Sequence, residues 1–235
     1  MTTPLELVVL DMAGTTVRDD GVVEQAFQRA AERTGVADRL PWDEALAHVR
    51  ATMGQSKLDV FLHLSGGDAA AAARATAAFE DAYAEIVSTA GVAEIPGAAD
   101  AIQGLKDAGL AVVLTTGFAP VTRQALLDGL GWEGLIDLAL SPADAGRGRP
   151  APDLVLTALL RTGTSSVAAV AVAGDTVSDI HSGRRAGAGF VAGVLSGAHD
   201  RAALSGAGAH AVLADVTALR AELAARELLP VAARV

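Results

Sequence analysis

The stretch Leu5-Glu6-Leu7-Val8-Val9-Leu10-Asp11-Met12-Ala13-Gly14-Thr15-Thr16 is a short, nearly continuous apolar run stopped by a carboxylate and a glycine turn. A run this short and this apolar reads as a strand buried on both faces of a parallel sheet. The pattern returns at Leu110–Thr115, Leu135–Leu140, Val167–Ala173, Gly189–Leu195 and Ala209–Ala214, separated mostly by amphipathic stretches bounded by Gly, Pro, Ser or Asp. Such alternation predicts an α/β fold, a Rossmann-like parallel sheet flanked by helices.

Between the first and second runs the chain has helical patterns only: Val22–Thr34, Trp42–Met53, Ser56–Leu64 and the alanine-rich Ala69–Ala90, followed by Gly35, Gly54, Gly66 and Gly91. An all-helical insertion in an alternating chain reads as a cap packed over the sheet. The expected division is a core of residues 1–16 and 94–235 with an all-helical cap of residues 17–93, hinged near Glu94-Ile95-Pro96-Gly97. Alanine in the last helix points to close helix packing rather than disorder.

At 235 residues, 51% of them hydrophobic, the chain can bury a large core with an insertion. A net charge of −10 argues against non-specific nucleic-acid or anionic-membrane binding, both of which reward a basic surface. The absence of cysteine excludes disulfides, thiolate metal sites and a cysteine nucleophile, and is compatible with a reducing cytoplasm. Asp11 interrupts the first apolar run before it could serve as a signal peptide or membrane span, so a cytoplasmic protein is expected.

In open parallel sheets ligands sit beyond the carboxyl ends of the strands, so the residues that end each run carry the functional expectation. The first ends on Asp11, followed by a turn whose Gly14 and Thr15 can present N–H groups to an anion; alone, Asp11 reads equally well as a turn or N-cap residue. Another run ends in Gly174-Asp175-Thr176-Val177-Ser178-Asp179, two carboxylates four residues apart, expected one turn along the same helix face. Magnesium takes hard oxygen ligands and keeps several waters, so Asp11, Asp175 and Asp179 with the backbone carbonyl of Ala13 form a candidate Mg²⁺ site. The other reading of Asp179 is a surface pair with Arg184. Thr116 and Gly117 offer a hydroxyl and an unhindered amide to a phosphoryl oxygen, and Arg149 in Gly146-Arg147-Gly148-Arg149-Pro150 offers a fork of donors, though alone it reads as a surface arginine.

These four strand-end motifs, in this order, resemble the haloacid dehalogenase superfamily over nearly the whole chain. The resemblance implies Asp11 as nucleophile, Thr116 and Arg149 as holders of the phosphoryl group, and Asp175, supported by Asp179, as the Mg²⁺ site. Most phosphatases of that superfamily carry a second Asp two residues after the nucleophile as acid and base, whereas this chain has Ala13 there, and a methyl group cannot move a proton. In this turn, in Thr115-Thr116-Gly117, in Arg149 and in Gly174 to Asp179 the chain is similar to the phosphonoacetaldehyde hydrolase branch, which also has Met-Gly-x-x-Lys where this chain has Met53-Gly54-Gln55-Ser56-Lys57.

That resemblance implies a Schiff base on Lys57, which turns the departing carbanion of C–P cleavage into an enamine and needs no acid at position 13. It also implies a substrate pocket drawing on Thr15, Met53, Gly54 and Gly117. Read alone, Lys57 is a solvated lysine opening a short helix, but only Lys57 and Lys106 occur in the chain. The branch has a histidine three residues beyond its lysine and a tyrosine after Thr-Thr-Gly; here these are Val60 and Phe118. His48, His181, His199 and His210 read as helix or loop surface residues outside the site, His181 being the only one whose place on the helix after Asp175 could bring it near. The expected partner is a small-molecule phosphonate or phosphate. The resemblance is compatible with a homodimer, while the alanine-rich helix is explained equally by packing inside the cap. The rival readings are a phosphatase for a small phosphate monoester and a non-catalytic module that binds a phosphorylated ligand.

Overall fold

The computed structural model describes residues 3–230. Six parallel strands, β1 (Leu7–Asp11), β2 (Ala111–Thr115), β3 (Leu138–Leu140), β4 (Val170–Gly174), β5 (Phe190–Val194) and β6 (Ala211–Leu213), form one sheet in the order β3-β2-β1-β4-β5-β6. The first strand is therefore central, with the order reversing on either side of it. In register, Asp11 lies opposite Thr115, and Leu10 opposite Ala173, so the residues ending β1, β2 and β4 meet at one edge.

The helices are α1 (Val22–Thr34), α2 (Trp42–Ala51), α3 (Lys57–Leu64), α4 (Ala69–Ala90), α5 (Ala98–Asp107), α6 (Pro120–Leu130), α7 (Pro142–Ala145), α8 (Asp153–Thr162), α9 (Val177–Ala186), α10 (Arg201–Gly206) and α11 (Leu219–Ala225). Side chains alternate along β1, so Leu7 and Val9 pack with Leu154, Val155 and Ile180 of α8 and α9, while Val8 and Leu10 belong to the cluster of Ile102, Leu105, Leu126 and Leu219. Burying both faces is what makes these strands apolar throughout.

The helices α1 to α4 pack chiefly on one another, α1 and α3 both lying against α4. On α4 the fully buried Ala72, Ala75, Phe79 and Ala82 fall at helical spacing, the small residues letting neighbouring helices approach. Its N-terminus is capped by Asp68, which accepts from the N–H groups of Ala70 and Ala71. The chain leaves the sheet and returns through two segments joined side by side: Arg18 N–H donates to Ala93 O at 2.9 Å and Ile95 N–H to Thr16 O at 2.9 Å. Among the described residues no helix is long and apolar enough to cross a membrane.

The strands are shorter than their apolar runs, β3 and β6 spanning only Leu138–Leu140 and Ala211–Leu213. Residues 135–137 precede β3, where Asp137 accepts the Val112 N–H on its carboxylate at 2.8 Å and donates its own N–H to Val112 O at 2.9 Å. Val167–Ala169 form a 3₁₀ turn, capped by Ser166 accepting from Ala168 N–H.

Candidate active site

At the carboxyl edge of the sheet Asp11, Asp175 and Asp179 are all buried, with ligand oxygens within 4.8 Å of one another. Asp175 and Asp179 do not share a helix face as expected. Asp175 precedes α9, and Asp179 is the third residue of that helix in a capping box with Thr176, which turns its carboxylate back toward β4. One Asp179 oxygen accepts from the Thr176 hydroxyl and N–H and the other from Arg149, so Asp179 faces inward, away from a surface pair with Arg184.

Each oxygen of Asp175 has one donor: the Thr15 hydroxyl at 3.0 Å and the Ala198 N–H at 2.7 Å. Thr15 is thus engaged with Asp175 across the edge of the sheet. Arg149, 4% exposed, donates from one Nη to both Asp11 and Asp179, and its Nε is buried without a partner. Two of the three carboxylates therefore share one guanidinium, and Asp175 has no cation in contact among the described residues. Burial raises the Asp11 carboxyl to about 6 against the pull of Arg149. Burial, then the charges of Asp11 and Asp179, raise Asp175 well above the usual carboxylate range. Buried charge of this kind is stable only when paired or bound to a cation.

Thr116 follows β2, with its hydroxyl oxygen accepting the Phe118 N–H at 3.2 Å, which leaves the hydroxyl proton free to donate to a ligand. The loop of Met53 to Ser56 presses on this edge. A Cβ on Gly54 would stand 2.5 Å from Thr176 Oγ1, and one on Gly117 would run into the Gln55 carbonyl, so close approach requires glycine at both positions.

Lys57 opens α3 and is 6% exposed. Its Nζ lies 5.3 Å from the ring centres of Phe27 and Phe79 and 5.0 Å from that of Phe118. Phe61 and Tyr83 complete the aromatic cluster. Among the described residues Lys57 has no ion-pair partner. Burial pushes the amine down to about 8; Arg149 adds to this, while Glu80, Asp19 and Asp11 oppose it. Lys57, Asp11, Ala13, Met53, Gly54, Thr116, Gly117, Arg149 and Asp175 all line one partly open void. A wider cleft of about 340 Å³ adjoins Lys57 and Phe118 on the outer side.

Sequence reasoning missed four contributors. Asp19 lines the void, caps α1 by accepting the Val23 N–H, and is raised by burial. Glu80 reaches from α4 to the start of α6. Phe27 and Phe79 read in sequence as ordinary core positions. The histidine that touches the site is His199 and not His181: its Nδ1 accepts the Val177 N–H at 2.8 Å and its N–H donates to Asp175 O at 3.2 Å.

A family profile described as haloacid dehalogenase-like hydrolase matches residues 5–187. The chain belongs to that family of hydrolases. It is similar to the phosphonoacetaldehyde hydrolase of Bordetella pertussis, with 32% identity over 211 residues, 82% of this chain and 74% of that protein. Among solved structures it resembles a phosphonoacetaldehyde hydrolase-like protein from Oleispira antarctica, with a TM-score of 0.80 and 24% identity, covering 97% of this chain and 95% of that one. It also resembles a haloacid dehalogenase family hydrolase from Deinococcus radiodurans crystallised with phosphate and sodium, with a TM-score of 0.67 and 26% identity, covering 98% and 100%.

Proposed function

We propose that this hydrolase is magnesium-dependent and cleaves the carbon–phosphorus bond of phosphonoacetaldehyde or a closely related phosphonate, with Lys57 as amine and Asp11 as nucleophile. The observation that carries the reading is that a buried amine and a carboxylate line one void while Ala13 stands where an acid would serve an alcohol leaving group. The similarity to phosphonoacetaldehyde hydrolases supports it.

The carboxylates fit Mg²⁺: hard oxygens, buried, and short of positive charge. Asp11 and Asp175, with the carbonyl of Ala13, would hold the ion, and Asp179, one of whose oxygens already takes two donors from Thr176 while the other takes Arg149, would support it. When bound, it lowers the negative charge that a phosphonate dianion meets at Asp11.

With its amine near 8, about one Lys57 in ten is neutral at pH 7. The neutral amine attacks the carbonyl and, with loss of water, gives an imine. Thr116 and Arg149 hold the phosphonate oxygens while an Asp11 oxygen attacks phosphorus; the C–P electron pair moves into the N-protonated imine, leaving a neutral enamine on Lys57 and an acyl phosphate on Asp11. Water cleaves that acyl phosphate to phosphate and the free carboxylate. The enamine takes a proton on carbon, and hydrolysis of the resulting imine releases acetaldehyde. Residues 17–93 serve as the cap that excludes bulk water over the 1–16 and 94–235 core, Met53 and Gly54 closing the pocket beside Gly117, and Thr15 acting through Asp175.

The test is borohydride reduction of the protein with Mg²⁺ and phosphonoacetaldehyde, followed by peptide mass analysis. A reduced adduct on Lys57 is expected. No adduct, together with hydrolysis of small phosphate monoesters that is insensitive to Lys57→Ala, would replace this reading with a phosphatase.

A further inference from the structure

Helix α6 begins directly after the Thr116-Gly117-Phe118-Ala119 turn and has no side-chain cap of its own, its N-cap residue being Ala119 and its first residue Pro120. The missing acceptor comes from α4. One Glu80 oxygen accepts the Ala119 N–H at 3.1 Å, and the other accepts the hydroxyl of Thr122, the third residue of α6. In a capping box the acidic side chain at the third position accepts the N-cap N–H; here a residue 39 positions earlier does so.

The neighbours of Glu80 give this bond a consequence. Phe79 lies beside Lys57 Nζ and packs on Phe118, their ring centres 6.1 Å apart, while Phe118 sits 4.6 Å from Tyr83. We propose that Glu80 is a positioning residue that completes the cap of α6 from the helical segment, pinning the Thr116–Ala119 turn and its Phe118 ring against Lys57. The consequence for turnover rests on the reading of Lys57 as the reacting amine; the pinning itself does not.

The experiment compares Glu80→Ala, Glu80→Gln, Thr122→Val and the Glu80→Ala/Thr122→Val pair by amide hydrogen exchange and by kinetics with Mg²⁺ and phosphonoacetaldehyde. Exchange over residues 117–123 is expected to quicken roughly ten-fold or more in Glu80→Ala while α9 keeps its protection. A displacement of about an ångström near a reacting group can cost roughly a hundred-fold in rate, and kcat/KM is expected to fall roughly ten-fold or more. Glu80→Gln, which keeps an oxygen acceptor, recovers most of that loss, and Thr122→Val adds nothing to Glu80→Ala.

The pH midpoint of Lys57 modification by an amine-reactive reagent separates bonding from charge. Arg149, Asp11, Asp19, Glu80 and Tyr83 are the charged or titratable groups around this amine. Releasing the rings in Glu80→Ala rehydrates Lys57 and raises the midpoint, whereas charge loss alone in Glu80→Gln lowers it. Unchanged exchange at 117–123 in Glu80→Ala, or equal losses for Ala and Gln, overturns the proposal. Wild-type protein inert toward phosphonoacetaldehyde but with exchange responding as stated would sink the substrate reading and leave the role of Glu80 standing.

Discussion

The two sides of the void bury charge in opposite ways. On the sheet side, Asp11, Asp175 and Asp179 are held by Arg149, Thr15, Thr176 and backbone N–H groups. On the helical side, Lys57 lies among aromatic rings and, among the described residues, forms no salt bridge. Hydrogen bonds fix the position of a charge and keep it; rings remove water and make the charged form costly. Burial disfavours the charged form on both sides; on the carboxylate side Arg149 and hydrogen bonds oppose it, whereas among the rings the lysine is driven toward the neutral form that a nucleophilic amine needs.

The most severe way to break the sheet side is Asp11→Asn, which keeps shape and removes the proposed nucleophile. Phosphate release is expected to fall on the order of 10³-fold or more, read as phosphate formed per enzyme against the unaltered protein. Retention of more than a tenth of the activity would remove Asp11 from the chemistry.

Lys57→Met tests the helical side, and its sign is the informative part. The folded protein holds the lysine near 8 against an ordinary 10.5. A base depressed on folding opposes folding fully below the folded value, and the opposition fades as pH rises from about 8 toward about 10.5. At pH 7 the cost of the buried charge is about 3 kcal/mol. Lys57→Met, apolar and unbranched, is thus expected to abolish phosphonate cleavage while making the protein more stable by a sizeable part of that amount, the gain shrinking as pH rises past 8. Urea unfolding of both proteins at pH 7 and 10 checks it; a less stable variant at pH 7 would show that the rings favour the cation.

Much of this architecture was legible in the sequence, for reasons that also mark where legibility stops. Val22–Thr34 and Ala69–Ala90 have the predicted bounds because Gly35 and Gly91 stop them locally. Asp11, Thr116 and Asp175 were legible because strand ends converge in any parallel sheet. The ring cluster was not, since Phe27, Phe61 and Phe79 occupy helix positions that read as core, and only the folded arrangement reveals an amine among them. Glu80 was hidden for the same reason: its partners lie 39 and 42 residues away, so no local pattern announces them. Asp175 and Asp179 were paired correctly by spacing but not by geometry, because Thr176 as N-cap sets the first outside the helix.

Magnesium is expected to sharpen the contrast, because its proposed site lies on the sheet side alone. A cation that binds only the folded protein stabilises it by about 2.7 kcal/mol at a hundred times its Kd. Thermal unfolding should move upward with added Mg²⁺, and the shift should shrink in Asp175→Asn while persisting in Lys57→Met. A shift that vanished in Lys57→Met would mean the two sides are not separable.

Ala13→Asp gives the smallest effect. Ala13 lines the void beside Asp11 and Asp175, so a carboxyl there joins three others, and like charges would hold it protonated near neutral pH. A protonated acid at this position can serve an alcohol leaving group. Hydrolysis of a simple alkyl phosphate should rise roughly ten-fold, short of the hundred-fold or more a well-placed acid supplies, because nothing in this chain orients the new side chain. The decisive comparison is the double variant Ala13→Asp/Lys57→Met: monoester hydrolysis should survive the loss of the amine, while phosphonate cleavage should not. Were both activities lost together, Lys57 would be holding the substrate's phosphorus side as well, and the division of labour between sheet and helices would have to be redrawn.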